Sequence, residues 1–282
     1  MNEWKALAPG WEQGRELLWN ATRGVSEWLV ARLDPQPGQT ILELAAGLGE
    51  TGFLASERLG PTGRLITSDA EPAMVEAAAR VARKLGVSNA EFRVLDANRI
   101  DLPDASVDGV LNRFGYVLRG DPPAALHEAR RVLRSGARFA FAVWAERSRN
   151  RWMTVPVDVM VDRGHLSPPD AAERRLSERR NPEAIAGLLA DAGFGKPEIE
   201  EMEVRYAFAD ADELWTFVRK IRGPVVLALQ QLSEAERDAV RAAVQERAAR
   251  AGGGYELNGV SLTVVAARRR YHAPRPAPWP SG

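Results

Sequence analysis

The chain has 282 residues, of which 45% are hydrophobic and 27% charged, as in an ordinary globular protein rather than a disordered or fibrous one. Lysine plus arginine and aspartate plus glutamate both number 38, so the formal net charge is zero. No global charge therefore attracts nucleic acid or an anionic membrane, and we expect neither as a partner. The absence of cysteine excludes disulfides, thiolate metal ligands and cysteine nucleophiles.

The three histidines, His127, His165 and His272, are far apart in the sequence. Without cysteine, a zinc site would have to depend on carboxylates, so we expect no metal site. The first residues carry no apolar signal core, and no uncharged apolar run approaches the roughly 18 residues that a membrane span needs. The sequence therefore predicts a cytoplasmic protein without a membrane segment.

From residue 37 onwards, short apolar runs alternate with amphipathic stretches, which is typical of βαβ units in a parallel sheet. Strands are predicted at residues 40–46, 64–68, 91–95, 107–112, 137–145, 198–208 and 261–267. Helices are predicted at residues 50–59, 71–85 and 122–133, the last ended by Ser135-Gly136, and at 182–193 behind an Asn181 cap. The pattern predicts an α/β fold with a Rossmann-like, seven-stranded, mostly parallel sheet and helices on both faces.

Other segments do not follow this alternation and are predicted to form helical insertions around the sheet. They are an N-terminal helical cap at residues 1–36, a lid insertion at 146–180 and a helical insertion at 209–258. The cap is expected to pack over the edge of the sheet. The core then comprises residues 37–145, its continuation at 181–208 and a last strand at 259–270. Residues 271–282 contain four prolines and are expected to be a disordered tail.

Between the first predicted strand and its helix lies Gly47-Leu-Gly-Glu-Thr-Gly52, a string of the form GxGxxG. Glycines let the backbone turn sharply and approach a ligand, and the following helix offers free N–H groups to it. The string alone is weak support for a ligand site, because a tight strand-to-helix turn without a ligand has the same sequence.

Three acidic positions strengthen the case for a nucleoside ligand. Glu43 falls in the central strand, where burial of an unpaired carboxylate is costly, so it needs a partner near the loop. Asp69 follows the second strand, 20 residues beyond Gly49, where a carboxylate suits a pair of ribose hydroxyls, although it can also cap the next helix. Asp96 ends the third strand, where it can accept from an exocyclic amine or simply form a turn.

Taken in order, these motifs resemble the class I S-adenosylmethionine (SAM) dependent methyltransferases, most closely the ubiquinone/menaquinone-biosynthesis type. The strings that carry the resemblance are Ile41-Leu-Glu-Leu-Ala-Ala-Gly-Leu-Gly-Glu-Thr-Gly52, Ser68-Asp-Ala-Glu-Pro-Ala-Met74, Leu95-Asp-Ala97, Leu102-Pro103 with Ser106-Val-Asp108, and Ala129-Arg-Arg-Val-Leu-Arg-Ser-Gly136. The resemblance covers about residues 37–144, and more loosely extends to residue 268.

The resemblance implies SAM as cofactor, S-adenosylhomocysteine (SAH) as product, and a set of cofactor-binding residues. At the methionine end it places Glu43 on the ammonium group, beside Ala45, Gly47 and Gly49. At the ribose and adenine it places Asp69, Ala70, Met74, Asp96 and Ala97, and it closes the pocket with Asn112 and Arg113. Ala45 stands where many members have a glycine, so we expect the loop to approach the ligand less closely there.

The leading hypothesis is methyl transfer from SAM to a small-molecule acceptor by in-line displacement, which needs no protein nucleophile. The acceptor walls are expected from large side chains around the rim: Trp11, Trp19, Tyr116, Trp152, His165 and Trp215. His165 is also the candidate catalytic base, against the alternative of a surface loop histidine. Removal of residues 1–30 is expected to spare the adenine site and abolish transfer. An NAD-type oxidoreductase and a catalytically inactive SAM-binding protein remain alternatives.

Overall fold

The computed structural model describes residues 10–115, 121–170, 174, 177, 180–221 and 223–269. The predicted tail at residues 271–282 and the candidate Tyr116 lie outside this part of the chain. No helix in the described ranges is long and apolar enough to cross a membrane. The cytoplasmic location and the division of the chain into core and insertions stay predictions.

One seven-stranded sheet organises the chain, in the order β3-β2-β1-β4-β5-β7-β6. Its strands are β1 (Thr40–Glu43), β2 (Arg64–Asp69), β3 (Ala90–Val94), β4 (Val107–Arg113), β5 (Leu133–Trp144), β6 (Glu198–Phe208) and β7 (Tyr255–Ala267). Pairing is parallel from β3 to β5, and β7 is antiparallel to both of its neighbours. The predicted fold class is therefore confirmed.

The helices cover both faces of this sheet, and each face has its own cluster of buried apolar side chains. They are α1 (Arg15–Leu33), α2 (Glu50–Leu59), α3 (Pro72–Leu85), α4 (Pro122–Val132), α5 (Arg151–Asp162), α6 (Pro182–Asp191), α7 (Ala211–Ile221), α8 (Gly223–Leu229) and α9 (Glu234–Ala248). Local capping sets several starts: the Asn181 side chain accepts from the Ala184 N–H at 2.9 Å, as predicted.

Three predicted boundaries are wrong. The first strand ends at Glu43 rather than residue 46, because the backbone turns at Ala45 with a φ of +48°. The fifth strand begins at Leu133, so Ser135-Gly136 lies inside β5 rather than ending a helix, and the register against β4 shifts there. The last strand begins at residue 255 rather than 261.

The early start of β7 builds a ribbon beyond the sheet. Residues 203–208 of β6 pair with residues 255–260 of β7, past the point where Trp144 makes the last pair of β5. This two-stranded ribbon projects beyond the carboxyl ends of β4 and β5. Helices α5 and α9 pack on β7 and α7 packs on β6, so the two predicted internal insertions come together on the ribbon.

The sequence predicted that the N-terminal helix packs over the edge of the sheet, and this prediction is wrong. Helix α1 lies across one face, against β4, β5, β7 and β6, and also contacts α2. Leu29 and Val30 are fully buried there, and Leu33 packs on β4, where a Cβ at Gly109 would lie 3.0 Å from its Cδ1. Removing residues 1–30 would therefore strip apolar side chains from the core, so this truncation cannot test a lid.

We expect Leu29→Ala to lower the free energy of unfolding by about 2–5 kcal/mol, because it leaves a cavity between α1 and the sheet. Urea unfolding of the purified protein measures this. The matched control is Glu27→Ala on the exposed face of α1, where only an ion pair with Arg23 is lost and the expected cost is roughly 0.3–0.5 kcal/mol. Equal effects of both substitutions would contradict the assignment of α1 to the core.

Candidate functional site

The glycine loop follows β1 at the carboxyl end of the sheet, in left-handed backbone conformations. Ala45, Gly47 and Gly49 have φ values of +48°, +57° and +82°. The Ala46 N–H donates to the Ser68 carbonyl at 2.9 Å, which holds the loop against β2. A Cβ at Gly47 would meet no described atom within 4 Å, so the loop borders open space at this point.

Glu43 is buried directly behind the loop, with 2% of its surface exposed. Its Oε1 accepts the Gly52 N–H at 2.8 Å. A Cβ at residue 52 would lie 2.3 Å from Oε2, which explains the third glycine of the motif as a packing requirement. Oε2 receives no hydrogen bond from the described residues. Burial raises the pKa of Glu43 to about 8, so the carboxyl is mostly protonated at neutral pH.

Asp69 ties the glycine loop to the end of β2. Its Oδ2 accepts the Gly47 N–H and its Oδ1 accepts the Glu71 N–H, both at 3.0 Å. Burial raises the pKa of Asp69. The alternative of Asp69 as helix cap is wrong, since Glu71 caps α3 by accepting the Ala73 N–H at 3.4 Å. The Asp69 carboxylate also accepts from the Ala70 backbone, which leaves about one of its four acceptor positions for a hydroxyl.

The candidate adenine residues lie at the neighbouring end of β3. The Leu95 N–H donates to the Asp69 carbonyl at 3.0 Å, so the two strand ends are adjacent. Asp96 is exposed, and its Oδ1 accepts the Asn98 N–H at 2.9 Å in a tight turn. Met74 is buried on α3, whereas Ala70 is exposed and Ala97 is half-buried. The turn role of Asp96 is observed, and it leaves the second carboxylate oxygen for a ligand.

The end of β4 supplies the other side of the site. Asn112 is fully buried, and its Nδ2 donates to the Leu44 carbonyl at 2.7 Å. Its Oδ1 receives no hydrogen bond from the described residues. Arg113 points toward α1, where it donates to the Thr22 hydroxyl and lies 5.9 Å from the centre of the Trp19 ring. Arg113 thus joins β4 to the N-terminal helix.

A buried ion cluster connects that helix to the glycine loop, and sequence reasoning did not find it. Glu50, the first residue of α2, has a side chain that is 4% exposed. It lies 2.9 Å from Arg15 Nε and 3.2 Å from an Arg113 guanidinium nitrogen. Ser26 and Thr51 add a hydroxyl hydrogen bond of 2.9 Å. The available signal was an acidic residue at a buried helix start, which requires a cation from elsewhere in the chain.

The predicted acceptor residues separate into two groups. Trp152 and Trp215 are each 8% exposed and belong to the core, which is at odds with their expected role as pocket walls. Trp11 and Trp19 are half-buried near the start of α1. His165 follows α5, where its backbone N–H donates to the Met160 carbonyl at 2.8 Å.

The described hydrogen bond of His165 is with α5 and not with the glycine loop. Its charge contributes slightly to lowering the pKa of Glu236 on α9, an effect that comes mainly from the Ser233 hydroxyl. His127 lies in α4, with its Nδ1 2.7 Å from the Pro123 carbonyl oxygen. Within the described ranges, no group of three or more histidine or acidic side chains is arranged to hold a metal ion.

An aromatic pair at the rim was also missed. Phe114 directly follows β4 and Trp144 is the last residue of β5, and their rings stack with centres 4.0 Å apart and planes 10° apart. Phe114 has a φ of +59°, a strained conformation for a bulky residue that the surrounding structure must enforce. The Trp144 ring in turn packs against the Trp152 ring, with the two ring centres 4.7 Å apart. Aromatic residues at the ends of adjacent parallel strands were the signal available in the sequence.

Together these residues fit a nucleoside that carries an α-amino acid. Two buried acceptor oxygens, Glu43 Oε2 and Asn112 Oδ1, lack donors among the described residues, and an ammonium group supplies donors. Asp69 lies beside open space at Gly47, as ribose hydroxyls require. The types of side chain at this position therefore suit SAM.

Comparison with known proteins gives a family match over residues 35–160, to a model described as a methyltransferase domain. The chain is 29% identical to the nocamycin O-methyltransferase of Saccharothrix syringae, over 88% of this chain and 91% of that protein. It is 37% identical to a ubiquinone/menaquinone biosynthesis C-methyltransferase UbiE of Caulobacter, over 39% of this chain and 46% of that protein.

An arsenite methyltransferase of Halobacterium salinarum is 29% identical over 58% of this chain, and the match spans only 39% of that protein's length.

Among solved structures, the chain resembles a chain from the Haloferax volcanii complex of the Trm112 methyltransferase activator with a putative methyltransferase, at a TM-score of 0.58. There the identity is 21%, over 97% of this chain and 99% of the other.

The fold also matches Haemonchus contortus phosphoethanolamine N-methyltransferase 2 in complex with SAM, at a TM-score of 0.53 and 15% identity, over 87% of this chain and 52% of that one. Sheet order, glycine loop, family match and relatives agree with one another. The family match over residues 35–160, the named relatives and the sheet order make the chain similar to the class I SAM-dependent methyltransferases.

Proposed function

We propose that this protein transfers the methyl group of SAM to a small-molecule acceptor by in-line displacement. The observation that carries the proposal is the buried Glu43 carboxyl, whose Oε2 lacks a donor beside the glycine loop. A buried polar oxygen without a partner is costly, and an ammonium group beside it favours the carboxylate form, so this position favours a ligand with an ammonium group. The named relatives act on unlike acceptors, and their names support small molecules as the class.

Catalysis in this proposal depends on position rather than on a protein nucleophile. Bound SAM supplies a methyl group on a sulfonium centre. Glu43 holds the ammonium end, Asp69 holds the ribose hydroxyls, and Met74 packs against the adenine. Because SAM is held at both ends, its methyl carbon has a fixed direction relative to the acceptor. Alignment of this kind lowers a barrier by up to about 7–11 kcal/mol when the geometry is good.

The acceptor approaches from the carboxyl rim, beyond β4 and β5. There the half-buried Phe114–Trp144 stack offers a flat apolar wall, which supports an acceptor with an aromatic or aliphatic body. Trp11 and Trp19 on the N-terminal segment are proposed as further walls. His165 is proposed as base only for an oxygen acceptor that extends between α5 and α9, since an amine acceptor needs no base at the transfer step.

A catalytically inactive SAM-binding protein is the remaining competitor, because binding and transfer use the same motifs. Incubation with methyl-labelled SAM and fractionated small-molecule extracts distinguishes the two. We expect SAH to accumulate only when an acceptor fraction is present, and labelled product to appear in that fraction. Tight SAH binding without turnover in any fraction would favour the inactive protein. Binding of NADH in place of SAH would revive the oxidoreductase alternative and contradict the proposal.

Asp69→Ala should weaken SAH binding by about 1.5–3 kcal/mol, roughly tenfold or more, since the ribose loses a charged acceptor and the Gly47 N–H loses its partner. Isothermal titration calorimetry measures the affinity. Asp101→Ala removes an exposed aspartate beyond β3 and serves as the matched control, with unchanged affinity expected. Normal SAH binding by the Asp69 variant would contradict the assigned ribose site.

We expect cofactor binding to release the proton that the Glu43 carboxyl holds in the free protein. The Glu43 pKa of about 8 lies above its ordinary value of 4.5, so the free protein holds the proton at pH 7. The folded state binds this proton more tightly than the unfolded state, so the contribution of Glu43 to the free energy of unfolding falls as the pH rises from 4.5 to about 8. A cofactor ammonium beside Oε2 favours the carboxylate and lowers the pKa. Binding of SAH at pH 7 should therefore release close to one proton.

Calorimetry in buffers of different ionisation enthalpy counts the released protons. Glu43→Gln keeps an oxygen for the Gly52 N–H but has no proton to release, so the count should fall to near zero. If both proteins release the same number, the proton comes from another group and Glu43 does not meet the ammonium.

A further inference from the structure

The Phe114–Trp144 stack at the rim continues inward as a row of ring contacts. The Trp144 ring packs against the Trp152 ring, which contacts the Tyr206 ring with centres 5.6 Å apart. Tyr206 in turn contacts Phe217 of α7, with 5.1 Å between the ring centres. Phe114 and Trp144 are half-buried, whereas Trp152 and Tyr206 are 8% and 2% exposed. This aromatic row therefore connects the carboxyl rim of the sheet to the buried side of the β6–β7 ribbon.

The outer end of the aromatic row is fixed against the glycine loop. The Phe114 N–H donates to the Ala142 carbonyl of β5 at 2.8 Å, and the backbone turns there with a φ of +59°. A Cβ at Gly115 would lie 2.6 Å from the Ala45 Cβ, so the chain after Phe114 passes directly against the loop. A bulky residue keeps such a conformation only where its surroundings enforce it. Phe114 is therefore held in place from two sides.

The inner end of the row is fixed at the junction of β5, α5 and β7. Asn150, which precedes α5, is fully buried. Its Nδ2 donates to the Ala145 carbonyl and its Oδ1 accepts the Val260 N–H, both at 3.1 Å. A Cβ at Gly259 would lie 2.7 Å from Trp152 Cδ1, so the backbone of β7 packs directly on the indole. Trp152 is therefore held rigidly by its surroundings.

Trp144, the last residue of β5, lies between these two fixed ends. Its ring is parallel to the Phe114 ring within 10° and tilted by 52° against the Trp152 ring. Because Trp144 is only half-buried, solvent on its accessible side offers no fixed contact. The space left by removal of the Trp152 ring would fill only in part, and the Trp144 ring could rotate into it. The orientation of Trp144 thus depends on its buried neighbour.

We propose that Trp152 is a positioning residue for methyl transfer: it does not touch the acceptor, and it sets the orientation of the Trp144 ring that forms the acceptor wall. The inference rests on the proposed function, since it concerns the same wall. Transfer depends on the alignment of the acceptor with the methyl group, so a rotated wall reduces productive acceptor binding. The residues proposed to hold the cofactor are unaffected by this rotation.

Initial rates test the proposal, measured with methyl-labelled SAM and serial dilutions of the extract fraction that accepts the methyl group. Trp152→Leu should raise the half-saturating amount of that fraction about fivefold or more. The KM for SAM should change by less than about twofold, because the cofactor residues keep their places. Trp152→Phe keeps a ring against Trp144 and should restore most of the acceptor binding. Trp152→Met retains more buried volume and serves the same comparison if Trp152→Leu fails to fold.

The matched control is Trp215→Leu. Trp215 is also 8% exposed and belongs to the same apolar cluster, but its ring lies outside the aromatic row. Thermal unfolding should show a similar destabilisation in Trp152→Leu and Trp215→Leu, since both remove the same buried side chain. Only Trp152→Leu should raise the half-saturating amount of the acceptor fraction.

A double-mutant cycle with Trp144→Ala tests whether Trp152 acts through Trp144. In the Trp144→Ala background, Trp152→Leu should have no further effect on acceptor half-saturation. Two indole rings with centres 4.7 Å apart also give an exciton couplet in circular dichroism. This couplet should be lost in Trp152→Leu and kept in Trp215→Leu.

Equal changes in acceptor half-saturation by Trp152→Leu and Trp215→Leu would overturn the proposal and give Trp152 a purely structural role. Additive effects of Trp144→Ala and Trp152→Leu, or an unchanged half-saturation in Trp152→Leu, would overturn it as well. Absence of any methyl-accepting fraction for the unmodified protein would refute the proposed function and this inference with it, so the two failures are distinguishable.

Discussion

The hydrogen bond from the Gly52 N–H to the buried Glu43 carboxyl determines how the central strand meets the first helix of the site. It joins β1 to α2 across the glycine loop at 2.8 Å and requires a residue without a side chain at position 52. The same burial raises the pKa of Glu43 and leaves Oε2 without a donor. One interaction thus shapes the loop and creates the polar position that, in the proposed function, a cofactor ammonium group completes.

The N-terminal helix extends this dependence to the rest of the fold. Its second half supplies Leu29 and Val30 to the core, whereas its first half brings Arg15 and Trp19 to the loop and the end of β4. A single helix therefore links the core to the proposed cofactor site. Changes in the packing of α1 on the sheet should alter the charge balance around Glu50, although these groups are far apart in the sequence.

Much of this architecture follows from local sequence. Apolar runs and glycine punctuation locate the strands, and the cost of burying Glu43 points to a partner at the loop before any fold is known. The position of α1 on the sheet face and the Arg15 contact were not predictable in this way. They depend on which surfaces meet after folding, and an amphipathic helix with an exposed arginine has the same pattern in many locations.

The aromatic residues illustrate the same limit. Trp152 and Trp215 lie in insertions near the rim, yet the ribbon of β6 and β7 gives them a core to occupy. Phe114 and Trp144 stand at strand ends, and the sheet order alone brings them into contact. Which aromatic side chain packs and which stays accessible is a property of the tertiary structure, so side-chain size in the sequence could not separate them.

A crystal structure of the protein with SAH tests the central claim most directly. We expect the ligand across the carboxyl ends of β1 and β2, with its ribose hydroxyls on the Asp69 carboxylate and its amino group within hydrogen-bond distance of Glu43 Oε2. Electron density for SAH that leaves Glu43 Oε2 without a contact, or that lies away from the glycine loop, would contradict it.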